Sequence, residues 1–396
     1  MFILKILITL LIVFLPFGEI LRFNLGNNIF LKPLDLISVL LFFWTIIVYL
    51  KNKPFRKSLR WFYFFFPLVG LVSLLINSYW LRPNELLASF FYLLRWVSYL
   101  SIFFAVIRFE EKFKEKITNF LVVDGLILLL VGYVQFFFYP NLKNLYYLGW
   151  DEHLYRMFSS FLDPNFIGTF FVLYFIFIAG LLFQKKRKIE KKTLYFYIFT
   201  SILTVIAIFL TYSRSALLML IVSGITFFLL LQKRKFIFYL LGALVVFVII
   251  ISPYFYIENL DLLRVNSSIS RFNSANNAIK IIATDPLIGV GFDSYRYAQL
   301  RHNLIKIDPR FPSHSASGDD TSLLFVLATT GIIGLASYLY LWFRLVKKAK
   351  SNYKKNIFSL IFISSIAGLF VNSLFINSLF YPEIMFWLWL MVALMM

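Results

Sequence analysis

The sequence predicts an all-α protein that crosses a membrane many times, and three observations lead to this prediction. Of the 396 residues, 61% are hydrophobic and only 15% are charged, whereas a soluble domain is nearer half apolar and a quarter charged. The mean hydropathy is +0.81. Several separate apolar runs also reach the roughly 20 residues that cross a bilayer core.

Apolar windows predict about twelve transmembrane helices. Their predicted bounds are 2–22, 35–50, 61–79, 86–107, 117–138, 165–183, 194–211, 215–231, 236–256, 320–343, 356–377 and 380–396. An even number of spans places both chain ends on the same side of the membrane. Without an internal repeat or a low-complexity linker, we expect residues 1–396 to form a single integral membrane domain.

The connections between these helices alternate in charge. Together with Lys5 and Arg344, the lysine-rich connections hold 19 Lys and 6 Arg; they are 51–60, 108–116, 185–192, 232–235 and 347–355. The positive-inside rule makes this side cytoplasmic, so both termini are predicted to be cytoplasmic. The net charge of +20 is then a feature of membrane topology, and we expect no nucleic-acid partner.

The opposite, outer side is rich in arginine. It holds 4 Lys, all three histidines and nine arginines, which are Arg22, Arg82, Arg156, Arg214, Arg264, Arg271, Arg296, Arg301 and Arg310. The planar guanidinium of arginine suits bidentate binding of phosphate or carboxylate. This asymmetry therefore suggests an anionic ligand on the outer side.

Two of the outer loops, 139–164 and 257–319, are long, and a long loop without the composition of disorder is usually functional. The second, between spans nine and ten, contains a predicted helix. Its apolar residues lie at spacings of three and four and form a stripe that faces the membrane or the bundle: Ile269, Phe272, Ala275, Ala278, Ile279 and Ile282. Arg271 and Lys280 point away from this stripe.

Arg214 is the first candidate for binding an anion. In "FLTYSRSALLML" it lies between two apolar runs, where an arginine can simply reach the lipid headgroups. Alternatively, it binds an anion at a helix start, where Ser213, Ser215 and free backbone N–H groups are further donors. A lipid-borne phosphate or pyrophosphate is the natural ligand at that depth.

A second group of candidates lies where the large loop returns to the membrane. His314 is the best-placed general base among the histidines, because a span follows its loop directly and would hold it at the membrane surface. Arginines nearby would disfavour the imidazolium and keep His314 neutral, as a base must be. Asp319 and Asp320 start the next helix, where acidic residues complement the helix dipole.

Two further motifs have simpler interpretations. In "RMFSSFLDPNFIG", Asp163 and the two residues after it read as a turn and a helix start, with Arg156 just before them. In "DPLIGVGFDSY", Gly289 and Gly291 do not form a phosphate-binding loop, because no Lys-Ser or Lys-Thr pair follows them and no strand is predicted before them. A tight turn back to the membrane is expected there.

Few charges are predicted inside the membrane. Arg95 and Asp124 lie well within predicted spans, where we expect them to form a structural pair. A proton or ion carrier usually has more such residues. The chain has no cysteine and no clear set of metal ligands, so the sequence predicts a site that works without metal or cofactor.

Taken together, these motifs resemble those of the O-antigen ligase and polymerase superfamily of bacterial envelope enzymes. The resemblance covers roughly residues 150–396 and depends on "RMFSSFLDPN", "TYSRSA", "SRFNSANNAIKIIATDPLIGVGFDSY", "H…DDTSLLFVLATTGIIGL" and the aromatic last span "FWLWL". It implies a topology similar to the GT-C class. The implied activity is an inverting, metal-independent glycosyltransferase on the periplasmic face of the inner membrane, acting in lipopolysaccharide biosynthesis.

The resemblance also assigns roles to particular residues. Arg214 corresponds to the arginine that contacts the donor pyrophosphate, Arg271 to the arginine on the large-loop helix, and His314 to the base or acceptor-orienting group. Many members have Asn directly after this histidine, whereas Ser315 follows here, so Asp320 is a rival base. We expect a further set to bind substrate: Arg156, Asn165, Arg264, Arg301 and Asp320.

The implied partners are a glycan on undecaprenyl pyrophosphate, an acceptor and the membrane lipids. An acceptor on the lipid A core would make the protein a ligase, and a growing lipid-linked glycan would make it a polymerase. The alternative is a flippase or exporter of lipid-linked oligosaccharides. That alternative predicts two similar halves and a charged path through the spans, and the sequence shows neither.

Overall fold

The computed structural model describes residues 1–24, 26, 30–51, 61–184, 190–251, 265–305 and 319–396. In these residues the chain forms fourteen α-helices and one short hairpin of two antiparallel strands, Phe23–Asn24 and Phe30–Leu31. The helices are α1 (Phe2–Phe14), α2 (Pro33–Lys51), α3 (Phe62–Ile76), α4 (Pro83–Val106), α5 (Glu111–Phe138), α6 (Pro164–Leu182), α7 (Lys191–Leu210), α8 (Arg214–Leu230), α9 (Arg234–Ile251), α10 (Val265–Thr284), α11 (Tyr295–Arg301), α12 (Ser322–Lys350), α13 (Ile357–Asn372) and α14 (Pro382–Met395).

The chain is an all-α multi-pass membrane protein. Seven of the described helices are long and apolar enough to cross a membrane, namely α2, α3, α4, α5, α6, α7 and α12, and α1, α8, α13 and α14 are shorter apolar helices. Each of the twelve predicted windows contains a helix. The number of spans and the orientation of the termini stay predictions.

Two helices, α6 and α14, form the centre of the bundle. Almost every residue of α6 from Ile167 to Leu181 is buried, and so is every residue of α14. A helix that is apolar on all sides can face lipid or other helices, and the burial of nearly every residue places these two inside the bundle. Accordingly, α6 packs against α7, α8 and α13, and α14 packs against α4 and α13.

The tryptophans of "FWLWL" join α14 to its neighbours. The Trp387 ring contacts Phe170 of α6, with ring centroids 5.1 Å apart. Trp389 contacts Trp96 of α4 at 5.9 Å and stacks on Trp342 of α12 at 5.6 Å. Large aromatic side chains bury much apolar surface at low entropy cost, so these contacts fix α14 among three other helices.

The predicted pair between Arg95 and Asp124 is wrong. α4 packs against α2, and the Arg95 guanidinium therefore lies beside the first turn of α2. There it donates hydrogen bonds to Asp35 Oδ2 at 2.7 Å and to the carbonyl oxygen of Phe30 at 2.6 Å. Asp124 is buried in α5, where no described group donates a hydrogen bond to its Oδ2 atom.

Helix α12 is interrupted at Gly331, which has φ +66° and ψ −171°. Segment 286–291 fills the interruption. The N–H groups of Val290 and Gly291 donate to the carbonyls of Ala328 and Thr329, at 3.0 and 3.1 Å. In return, the N–H groups of residues 332 and 333 donate to the carbonyls of residues 286 and 287, at 2.9 and 3.4 Å. The backbone groups freed by the break are thereby satisfied.

Helix α3 holds the inserted segment from its other side. Ser73 Oγ lies 2.8 Å from the Ile288 carbonyl oxygen and 2.9 Å from that of Thr329. Asn77 Nδ2 donates to the Gly289 carbonyl at 2.8 Å. The predicted tight turn in "DPLIGVGFDSY" is thus a segment built into the bundle, which anchors the large loop at its middle.

We expect Gly331→Ala to destabilise the protein. A Cβ atom there would lie 2.1 Å from the Leu287 carbonyl oxygen, in a backbone conformation that essentially only glycine adopts. The expected loss is about 1–3 kcal/mol or more, measured as a lower temperature of unfolding in detergent. Gly242→Ala is the matched control, since a Cβ in α9 would meet nothing within 4 Å. Equal unfolding temperatures for the two variants would contradict this account of the break.

Candidate active site

Helices α6, α8 and α12 begin close together, at what we call the site end of the bundle. Thr169 of α6 donates to Asn372 Oδ1 at the end of α13, at 3.2 Å. The Ser322 N–H of α12 donates to the Ser373 carbonyl at 2.9 Å. α13 therefore ties the N-terminal half of α6 to the first turn of α12, so the positive ends of these two helices lie near each other.

A buried arginine links α6 to the short loop before α8. Arg156 is only 2% exposed, and its Nε donates to the Thr211 carbonyl at 2.9 Å. Its Nη2 lies 3.4 Å from Asn165 Oδ1, which also accepts from Ser213 Oγ at 3.0 Å. The structure thus brings the predicted residues Arg156 and Asn165 together, in contact with the loop that carries Arg214.

Side chains cap two of these helix starts. Asp163 accepts hydrogen bonds from the N–H groups of Asn165 and Phe166, at 2.6 and 3.3 Å, so the predicted helix start is confirmed. Ser213 Oγ accepts from the Ala216 N–H at 3.4 Å. Burial raises the pKa of Asp163, although the Arg156 guanidinium and the cap hydrogen bonds act in the opposite direction.

Two predicted arginines and two carboxylates form a charge cluster beside the helix starts. Burial lowers the pKa of Arg271, and the nearby guanidinium of Arg214 lowers it further, while Asp320 and Asp163 oppose both effects. Arg271 comes from α10 and Arg214 from the first turn of α8. Two guanidiniums within electrostatic range favour an anion between them, because it would offset their repulsion.

Helix α10 is attached to the start of α12 through Ser274. Its hydroxyl donates to Asp319 Oδ1 at 2.7 Å and accepts from the Asp320 N–H at 3.4 Å. Thr321 is the N-cap residue of α12, so neither aspartate occupies the cap position itself. Burial raises the pKa of Asp319 to about 6, and burial also raises that of Asp320, against the effect of Arg271.

The apolar stripe predicted on α10 is divided between two environments. Ala278 is fully buried, together with Ile281, which the spacing did not select. Ile269, Phe272 and Ile279 are instead 52–74% exposed on the protein surface. The helix is confirmed, and it presents Arg271 to the charge cluster while an apolar face points away from the bundle.

The remaining predicted site residues lie elsewhere. His314 and Arg264 fall outside the described residues. Arg301 is exposed at the end of α11, where its guanidinium lies 5.3 Å from the centroid of the Trp80 ring. The contacts of Arg301 therefore do not join it to the charge cluster.

The described residues also bear on metal binding. Among them, no group of three or more His, Asp or Glu side chains is arranged to hold a metal ion. Asp163 and Asp320 are instead near cations supplied by the protein, Arg156 and Arg271. The absence of a metal requirement stays a prediction.

Sequence reasoning missed two features of this site. Asp163 was interpreted only as a helix start, yet it lies within electrostatic range of Arg156, Arg271 and Asp320. Ser274 was not singled out either. Its position three residues after Arg271 was the available signal, because residues three apart share a helix face.

Residues 199–339 match a protein-family model described as O-antigen ligase. This region contains Arg214, Arg271 and Asp320, and it includes the break in α12. The match confirms the resemblance to the O-antigen ligase and polymerase superfamily and supports a glycosyltransferase-type enzyme. A search of curated proteins finds no match for the chain.

The pKa of Asp319 predicts a pH-dependent stability. Its folded value of about 6 is above its ordinary value of 3.8, so the folded state holds the proton more tightly. This contribution is full below about pH 4 and is lost as the pH rises through 6. For Asp319→Asn, we expect the free energy of unfolding in detergent to lack this pH-dependent contribution, which is at most about 3 kcal/mol. Glu152→Gln, at an exposed position, is the control and should keep the wild-type profile. An unchanged profile in Asp319→Asn would contradict the assignment.

Proposed function

We propose that the protein transfers a glycan from undecaprenyl pyrophosphate to an acceptor hydroxyl, on the periplasmic face of the inner membrane. The observation that carries this proposal is the charge cluster of Arg214 and Arg271 beside the starts of α6, α8 and α12. Guanidiniums and helix N-termini are both groups that bind phosphate. The family match gives the proposal its reaction class.

The donor pyrophosphate fits the cluster for electrostatic reasons. The two guanidiniums repel each other, and Asp163 and Asp320 balance them only in part, because burial raises the pKa of both carboxyls. A diphosphate bound between the arginines would offset this repulsion. It would gain further charge as the leaving group departs, and donors aimed at developing charge are often the largest catalytic contribution.

The transfer step needs a base on the acceptor side. The acceptor hydroxyl gives its proton to the base, and its oxygen attacks the anomeric carbon from the face opposite the pyrophosphate. The bond from the anomeric carbon to the phosphate oxygen breaks, and its electron pair leaves with the pyrophosphate. This displacement inverts the anomeric configuration.

His314 and Asp320 are the two candidates for the base. His314 lies in the part of the large loop outside the described residues. Asp320 lies at the edge of the charge cluster, where Arg271 favours its ionised, basic form and burial disfavours it. Asp320→Asn and His314→Ala therefore distinguish the two roles, since the base variant loses turnover without losing donor binding.

The buried charges of the described residues give little support to the alternative hypothesis, a flippase. The sequence predicted two charges inside the spans, and the structure adds the buried carboxylates of Asp35 and Glu383. Asp35 pairs with Arg95 and Glu383 with Lys32. Both carboxylates lie in the first turn of their helices. They are therefore grouped near the site end and do not form a path through the spans.

We expect Arg214→Ala and Arg271→Ala each to lower the rate of transfer about 100-fold or more, because each removes a cation from the leaving group. The measurement uses purified protein with an undecaprenyl-pyrophosphate oligosaccharide and separate lipid A core and lipid-linked glycan acceptors. Product on one acceptor alone also identifies the protein as a ligase or a polymerase.

Lys280→Ala is the matched control, because Lys280 is exposed on the same helix as Arg271. All variants should insert into the membrane and purify as the wild type does. Wild-type rates in both arginine variants would overturn the proposal, as would ATP-independent movement of the lipid-linked donor across vesicles without any transfer.

A further inference from the structure

An open groove lies on the connection between α5 and α6, directly after the end of α5. It has a volume of about 450 Å³ and is lined by Tyr139, Pro140, Asn141, Lys143 and Asn144. Sites for small molecules have volumes of roughly 300–1,000 Å³ and combine apolar walls with a few polar groups. The groove matches both criteria, because two of its residues carry rings and three carry polar side chains.

Hydrogen bonds fix the polar side chains of the groove and leave their donor groups available. The Tyr139 hydroxyl donates to Asn144 Oδ1, and the Lys143 N–H donates to Asn141 Oδ1 at 3.1 Å. Both amide oxygens are thereby used. Neither Nδ2 group donates to any of the described residues, and Lys143 Nζ forms no ion pair with them. The groove therefore offers two amide groups and an ammonium group to a ligand that accepts hydrogen bonds.

The side chain of Gln135, at the end of α5, connects the groove to the candidate active site. Its Nε2 donates to the carbonyls of Tyr139 and Arg156, at 3.0 and 3.2 Å. Arg156 in turn donates to the Thr211 carbonyl, in the short loop before α8. One chain of hydrogen bonds thus runs from the groove to the loop that carries Arg214.

Segment 153–155 forms a second connection between the groove and Arg156. The Tyr155 N–H donates to the Pro140 carbonyl at 2.8 Å, and the Arg156 N–H donates to the His153 carbonyl at 3.2 Å. Tyr155 and His153 have φ values of +53° and +49°, which residues other than glycine rarely adopt. Such conformations persist only where the surroundings enforce them, and they cluster at functional sites.

The chemistry of the groove fits a sugar ring. The C–H face of a sugar packs on an aromatic ring, and its hydroxyls accept hydrogen bonds from amide and ammonium groups. Phosphate is bound mainly by arginines and helix N-termini, and no arginine is among the lining residues. Phe137 and Phe138, just before the groove, are 70% and 81% exposed, as suits aromatic residues at a membrane interface. The groove is therefore next to the level at which the glycan of a lipid-linked substrate begins.

We propose that Tyr139, Lys143 and Asn144 form a subsite that binds a sugar of the donor glycan. This inference rests on the proposed function, which assigns the donor pyrophosphate to Arg214 and Arg271. Because the groove is hydrogen-bonded through Gln135 to the neighbourhood of Arg214, the glycan on that same pyrophosphate is the substrate that reaches it. The acceptor glycan shares the chemistry, and the experiments separate the two sources.

The first experiment measures binding to the full-length protein in detergent. The probe is the oligosaccharide released by mild acid from the undecaprenyl-pyrophosphate donor, and its binding is followed by saturation-transfer NMR. We expect Tyr139→Ala and Asn144→Ala each to raise the Kd about three- to tenfold, because one loses a ring contact and the other a hydrogen bond. Tyr147→Ala is the matched control, since Tyr147 is 67% exposed on the same connection but does not line the groove.

The second experiment measures transfer, with varied donor at saturating acceptor and then with varied acceptor at saturating donor. For Asn144→Ala and Lys143→Ala, both at exposed positions, we expect the KM for the donor to rise about three- to tenfold. The kcat and the KM for the acceptor should stay near their wild-type values. A rise confined to the KM for the acceptor would overturn the assignment to the donor.

Two further outcomes would remove the subsite. One is a wild-type Kd in both binding variants. The other is a wild type that does not bind the oligosaccharide but retains phosphatidylglycerol in native mass spectrometry, with the lipid lost in Asn144→Ala. That result would give the groove to a lipid headgroup.

Binding and transfer together distinguish this inference from the proposed function. If the wild type binds the oligosaccharide more tightly than Asn144→Ala does but transfers it to no acceptor, the proposed function fails and the groove remains a sugar site. If the wild type transfers the glycan and Asn144→Ala has the same Kd and KM values, the subsite fails and the proposed function stands.

Discussion

The hydrogen bonds of the Arg156 guanidinium are the interaction on which the site end depends. They join the Thr211 carbonyl to Asn165, and Asn165 in turn accepts from Ser213. The short loop before α8 is thereby held against the first turn of α6. A buried guanidinium is stable only when its donors are satisfied, so the position of Arg214, at the start of α8, follows from how Arg156 is bound. The cation to which we assign the donor pyrophosphate, Arg214, is thus placed by a second cation, Arg156, that the solvent hardly reaches.

Buried charges recur around this end of the bundle. Lys32 pairs with both Glu19 and Glu383, and its Nζ lies 4.7 Å from the centroid of the Tyr381 ring. The Tyr381 ring stacks on Phe166 in the first turn of α6, at 4.1 Å. Breaking one member of a buried ion pair leaves an uncompensated charge, which is strongly destabilising. These ion pairs and aromatic contacts therefore fix the beginnings of α2, α6 and α14 relative to one another. Apolar packing alone would orient the three helices less strictly.

The sequence predicted the helices well and their polar contacts poorly. Apolar runs locate helices because backbone groups in hydrocarbon must bond within their own segment. Such a run hid the break at Gly331, because the apolar stretches "LLFVLA" before it and "IIGL" after it together look like one span. Arg95 was given the wrong partner because depth in a span does not reveal which helices are neighbours. Arg214 was proposed from its position near the membrane surface and Arg271 from the resemblance to the enzyme superfamily, whereas the contributions of Asp163 and Ser274 depend on how separate helices meet.

The insertion of segment 286–291 into α12 has a consequence for how the chain enters the bilayer. Until that segment is in place, the carbonyl of Ala328 and the two amides that follow the break lack their hydrogen-bond partners, and each such group costs several kcal/mol in hydrocarbon. The ribosome makes residues 286–291 before it makes α12, and α3 with Ser73 and Asn77 earlier still. Synthesis from the N-terminus therefore delivers every acceptor and donor that the interrupted helix requires before that helix reaches the translocon.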